Sequence, residues 1–140
     1  MGALTLFGSL EELCGLTHGE CASYLNVRPD TVKSWASGRR TAPPSAEDQL
    51  IALWSRIEDT ASVTVEAVES QIAEHAALGP PSGFEIGIPQ SKAEAVELGW
   101  PSVGCCQRIA GLVASRVGVP LTLVERGSTV ATWLAIQARE

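Results

Sequence analysis

Aromatic residues are scarce in this chain: 5% of 140 residues, four of them Trp. With two Phe, one Tyr and one Met besides, Ala, Val, Leu and Ile must build most of the core. No apolar run approaches the ~20 residues needed to cross a bilayer, which argues against a membrane protein. The start, Met1-Gly2-Ala3-Leu4-Thr5-Leu6-Phe7, has no basic flank and soon meets Glu11 and Glu12, so it does not read as a secretory signal. Leu6 stands where N-myristoylation of Gly2 would require Ser or Thr. The four cysteines (Cys14, Cys21, Cys105, Cys106) lack C-x-x-C spacing. They are expected to be free, mostly buried thiols in a reducing cytoplasm. A Gly-rich phosphate loop, a nucleophile elbow and a carboxylate–His set are all missing, so neither catalysis, a cofactor nor a metal site is expected.

Hydrophobic residues are 45% of the chain and charged residues 19%, the balance of a globular protein. The net charge of −6 speaks against a surface coated for nucleic acid, but it is unevenly spread. Residues 1–44 are neutral, residues 45–78 carry seven acids against Arg56, and residues 79–140 are balanced. The acidic segment is most simply a solvated helix face.

The apolar spacing predicts a first helix over 4–14 and a second over His18–Leu25, capped by Thr17 with Glu20 three residues later. Asn26 suits a tight left-handed turn. A third helix over Pro29–Ser37 turns Val32 and Trp35 inward and ends at Gly38. Ser45 is expected to cap a long helix to about residue 77, which the β-branched run at 62–65 could interrupt. The run Leu78-Gly79-Pro80-Pro81-Ser82-Gly83 reads as a linker. Beyond it, 84–88 suits a short strand, Ser91 opens a short helix, 102–117 suits a longer one and 120–125 is strand-like. Residues 128–138 lean to a helix. The fold class expected is mainly α: an N-terminal helix-turn-helix bundle, a long connecting helix and a small α/β C-terminal dimerisation domain. The boundary falls between residues 1–78 and 79–140.

Residues 16–40 carry the function. Two short helices crossing closely need a small residue at the crossing, Gly or Asn in the turn, and two apolar anchors returned by the second helix. Ala22, Asn26, Val32 and Trp35 meet these needs at consistent spacing, which is the pattern of a helix-turn-helix. Here the chain resembles the Xre-type, lambda-repressor/Cro-like family of DNA-binding domains. The match runs through Leu16, Thr17, Glu20, Ala22, Val27, Thr31, Val32, Trp35, Gly38 and Arg39. His18 replaces the usual Gln, Asn26 the Gly and Ala36 the Glu. More loosely, the Glu-Cys-Ala of the second helix, the Gly-Arg-Arg-x-Ala-Pro run, the extended helix and the α/β tail resemble YdiL-like and anti-CRISPR-associated regulators. That resemblance implies a dimeric repressor acting on its own promoter.

The charges agree with the motif. Between Asn26 and Thr41, Arg28, Lys33, Arg39 and Arg40 stand against Asp30 alone, a net of +3 where phosphate attraction is needed. Arg28, Asp30, Thr31, Lys33 and Ser34 are placed to reach base edges, Arg28 first, because its planar fork matches guanine O6 and N7. Thr17 and His18, at a helix start, are expected to hold phosphate, as are Arg39 and Arg40.

So few basic groups call for two copies on a palindromic double-stranded operator, with the C-terminal half as the homodimer module. Two other readings stay open: an antitoxin-like protein whose C-terminal half binds a partner protein, and a phage assembly protein using the same motif.

Overall fold

The computed structural model describes residues 4–74 and 83–125. In order these form α1 (Leu6–Leu13), α2 (His18–Leu25), α3 (Pro29–Ser37), α4 (Pro44–Glu74), β1 (Phe84–Ile88), α5 (Lys92–Glu97), α6 (Val103–Arg116) and β2 (Leu121–Glu125). The chain is mainly helical with a small two-stranded sheet near its C-terminal end, as expected. The linker proposed at 78–83 falls almost wholly outside the described residues, and the helix proposed at 128–138 falls entirely outside them.

Side chains close the ends of the short helices. Extended Thr5 caps α1: its hydroxyl accepts the Gly8 amide hydrogen at 2.9 Å and donates to the Ala36 carbonyl at 2.8 Å. One residue thus starts α1 and ties it to α3. Thr17 and Glu20 form the reciprocal cap on α2. Asn26 ends that helix in the left-handed region (φ 58°), where Asn is tolerated better than most residues. Pro29 opens α3, and Gly38 closes it at φ 82°.

Helix α4 differs from expectation at its start. It begins at Pro44 rather than after a Ser45 cap, because the Pro43 carbonyl already accepts from Ala46 and Glu47 at 3.0 and 3.4 Å. It also passes through 62–65 without a break. Thr64 is fully buried there and donates its hydroxyl to the Thr60 carbonyl at 2.8 Å, which satisfies it within the helix. The 31 residues make a rod of about 46 Å.

Its buried stripe is Ala46, Leu50, Leu53, Ile57, Ala61, Thr64 and Val68. The N-terminal part serves α1, where the Cys14 thiol donates to the Leu50 carbonyl at 3.3 Å. Thr64 meets β1 and α6 instead, beside Ile86, Ile88, Ile109 and Val113. Strands β1 and β2 pair in parallel, Phe84 opposite Leu121, joined through α5 and α6. Ile86, Gly87 and Ile88 are buried in succession rather than alternately where β1 packs on α6, while Glu85 is exposed.

The buried side chains on the two sides of residue 79 belong to one core. The two parts also meet backbone to backbone. Gly15 lies in the α1–α2 turn at φ 76° against Gly104 in the first turn of α6, and a Cβ on Gly104 would overlap the Gly15 carbonyl. Ser102 caps α6 by accepting from Cys105 N at 3.0 Å and donates its hydroxyl to that same Gly15 carbonyl at 3.1 Å. Arg56, the one base among the acids of α4, donates to the Gly99 carbonyl at 2.7 Å and stacks 4.0 Å over Trp100.

Gly104→Ala should therefore destabilise the protein by about 1–3 kcal/mol, since neither backbone can yield. Gly111→Ala, on the same helix with nothing near its Cβ, should gain roughly 0.5–1 kcal/mol. Thermal unfolding of the two variants measures both, and equal melting temperatures would disprove the close crossing.

Candidate nucleic-acid interface

Helices α2 and α3 pack together, with Ala22 2% exposed and Val32 fully buried. The Val27 amide hydrogen returns to the Ala22 carbonyl at 2.9 Å and locks the turn. One turn further along the same face of α3, Trp35 meets Phe7 edge-on, with ring centres 5.4 Å apart at 78°. These contacts fix which residues of α3 remain outside.

Arg28 is the N-cap of α3 in extended conformation, and its side chain makes no capping bond. Its guanidinium is exposed, as are Asp30 and Lys33, while Thr31 is half-buried. The first turns of α3 therefore present a cationic fork, a carboxylate, a hydroxyl and an ammonium along one outward stretch. Arg39 and Arg40 follow the left-handed Gly38 and are exposed.

Ser34 corrects the sequence expectation. It is only 3% exposed, which removes it from the set that could touch a base. Its atoms instead organise the loop after α3. The Ser34 hydroxyl accepts from Arg39 Nη2 at 2.7 Å, and the Ser34 carbonyl accepts from the Arg40 amide at 3.1 Å and from the Ser37 hydroxyl at 3.3 Å. The loop folds back over α3 and covers the serine. One nitrogen of Arg39 is held inward while the residue as a whole stays exposed.

Thr17 and His18 lie at the start of α2, both exposed. The Thr17 oxygen accepts from the Glu20 amide at 3.2 Å, while the Thr17 amide donates to the Glu20 carboxylate at 2.9 Å. The threonine keeps its hydroxyl hydrogen for a further acceptor. The His18 ring lies with Nδ1 2.8 Å from the carboxylate of Glu11, which is 5% exposed.

Glu11 is the residue that sequence reasoning missed. The signal was present: Glu11 stands in register with Phe7, Leu10 and Cys14 on the core face of α1, where a carboxylate needs donors. Thr17 and His18 share with Glu11, Glu12 and Arg108 an open groove of about 670 Å³ between α1, α2 and α6. Arg108 spans its edge by donating to the Glu12 carbonyl at 3.0 Å.

The cysteines are free and buried. Burial pushes the Cys14 and Cys106 thiols up to about 12, and neighbouring Cys105 adds to this in each case. Burial likewise pushes Cys21 up to about 12, with the Glu11 carboxylate adding to it. Burial raises Cys105 too, partly offset by the hydrogen bonds with Ser102. Among the described residues no group of three or more His, Cys, Asp or Glu is set to hold a metal.

No protein-family model and no curated protein matches the chain.

Because the thiols stay protonated at neutral pH, a thiol reagent should label the native protein only slowly and all four cysteines rapidly in denaturant. Rapid labelling of the native protein would contradict the burial described above.

Proposed function

We propose that this protein is a sequence-specific double-stranded-DNA-binding regulator, a dimeric repressor that occupies a palindromic operator in its own promoter. The observation that carries the reading is the outward row on α3. Arg28, Asp30, Thr31 and Lys33 lie on the first turns of a helix fixed against its partner by a left-handed Asn26 turn, with Arg39 and Arg40 just beyond. A major groove admits one helix, and a row of this chemistry at its N-terminal end supplies a bidentate donor for guanine, a carboxylate acceptor for cytosine and a donor for phosphate. Arg39, Arg40, Thr17 and His18 supply backbone contacts on either side of that row. The resemblance of residues 16–40 to Xre-type domains supports the same reading.

Between Asn26 and Thr41 each copy has four basic groups against one acid, a modest phosphate attraction that two copies would double. Strand β2 supports the second copy. Among the described residues it pairs with β1 alone, and pairing of its other edge with an identical strand across a two-fold axis would join two copies, with Leu123, 45% exposed, adding apolar surface to the contact.

Binding to the DNA upstream of its own gene, measured against scrambled DNA across a salt series, tests the reading. The native fragment should win by ~10³ or more, and affinity should fall steeply with salt. Arg28→Ala should cost about 1–3 kcal/mol and relax the preference for one base pair. Equal binding to both DNAs would end the self-regulation reading, and no binding to either would end the DNA reading. In light scattering the mass should be twice the 14.7 kDa of one chain, and a monomer at micromolar concentration would overturn the dimer.

A further inference from the structure

Glu11 is an acid in an apolar place. It shares the buried face of α1 with Phe7 and Leu10. An ionised carboxylate there is costly unless donors surround it. Two do: the Cys21 thiol, which hydrogen-bonds to it, and His18 Nδ1 at 2.8 Å. The carboxylate can only accept, so Nδ1 carries the proton. The ring is thereby oriented, and Nε2 is left for whatever enters the groove that His18 lines. The His18 side chain is 44% exposed, so solvent and ligands reach it.

We propose that Glu11 is a positioning residue that holds His18 for a DNA phosphate, and that DNA binding takes up one proton at His18. The inference rests on the DNA reading above and adds a group and a proton to it. In the neutral ring Nδ1–H is given to Glu11, and Nε2 then carries a lone pair, which repels a phosphate oxygen. In the protonated ring Nδ1–H stays on Glu11 while Nε2–H donates to the phosphate, a charge-assisted bond. The proton comes from solvent on binding and returns to it on release.

The charged and titratable groups that share the groove with His18 are Glu11 and Glu12 on α1 and Arg108 on α6, and its own helix carries Glu20 and Cys21 two and three residues on. A phosphate adds negative charge to that set, so binding selects the protonated ring. Glu11 alone among these groups is within hydrogen-bond distance of Nδ1, which is why it, and not Glu12 or Glu20, sets the ring's orientation.

The test is operator affinity for the full chain across roughly pH 5.5 to 8, the span over which an imidazole changes charge. Wild type is compared with His18→Gln, Glu11→Gln and Arg28→Ala. Wild-type affinity should fall as pH rises, by up to about tenfold per pH unit, the limit for one linked proton. His18→Gln should bind more weakly at acid pH and lose that slope. Glu11→Gln, which keeps an acceptor for Nδ1 but removes the charge, should need a more acidic solution to reach the same affinity. Arg28→Ala should lower affinity at every pH and keep the slope. Equal slopes in wild type and His18→Gln, or a Glu11→Gln profile that overlays wild type, would overturn the inference and leave DNA binding standing. A wild-type protein that holds no DNA at any pH would overturn the DNA reading and this inference with it. If Glu11→Gln does not fold, wild type against His18→Gln decides alone.

Discussion

Helix α4 has one buried stripe, and two different layers need it. The α1–α3 bundle closes on Ala46, Leu50 and Leu53, and the layer of β1 and α6 closes on the stretch around Thr64. Neither layer is large enough to bury its apolar surface alone, as expected for units of this size. The rod therefore acts as a shared wall. Its register fixes where α6 must lie relative to α1, and the two glycines at the crossing are what that register demands. Any side chain at Gly104 would force α6 away from Gly15 or away from α4.

The outward face of the bundle follows from the same packing. Once Val32 and Trp35 are committed inward, Asp30 and Lys33 face out, and Arg28 is exposed at the extended N-cap before the helix begins. Two polar side chains are exceptions, and both are buried with partners: Ser34 receives Arg39, and Glu11 receives His18. Each inward polar atom thus fixes the position of an outward cation or imidazole. On the proposed DNA reading these are four of the groups that matter, two that touch and two that hold. The acidic exterior of α4 would then repel DNA and favour approach through α3.

Much of this was legible in the sequence where the signal is local. Capping at Thr17, the turn at Asn26, Pro29 at the first position of α3 and the stop at Gly38 each depend on neighbours within four residues, and each falls where the sequence places it. Ser34 was misread because helical spacing turns it away from Val32 but cannot show a downstream loop folding back to cover it. Ser45 was misread because the helix already starts at Pro44, with the Pro43 carbonyl accepting from Ala46 and Glu47, which puts Ser45 inside the first turn. The shared core was out of reach of local patterning. It depends on Gly15 meeting Gly104 and Arg56 meeting Trp100, pairs whose spacing follows no helical or strand period. The buried glutamate was readable, since an acid in a core register advertises a need for donors, but its partner His18 lies across a turn.

The bond from Ser102 to Gly15 spans 87 residues and that from Arg108 to Glu12 spans 96, whereas the tie from Thr5 to Ala36 spans 31. On the ribosome these contacts become available at different times. The α1–α3 bundle can close on the first turns of α4 as soon as those emerge. The rest of the α4 stripe must wait for α6, and β1 must wait still longer for β2. Long-range pairing of this kind is intrinsically slow and leaves apolar surface bare meanwhile. For that interval Ile57, Ala61 and Val68 lie open to water, and the sooner α6 follows α4 the shorter that exposure is.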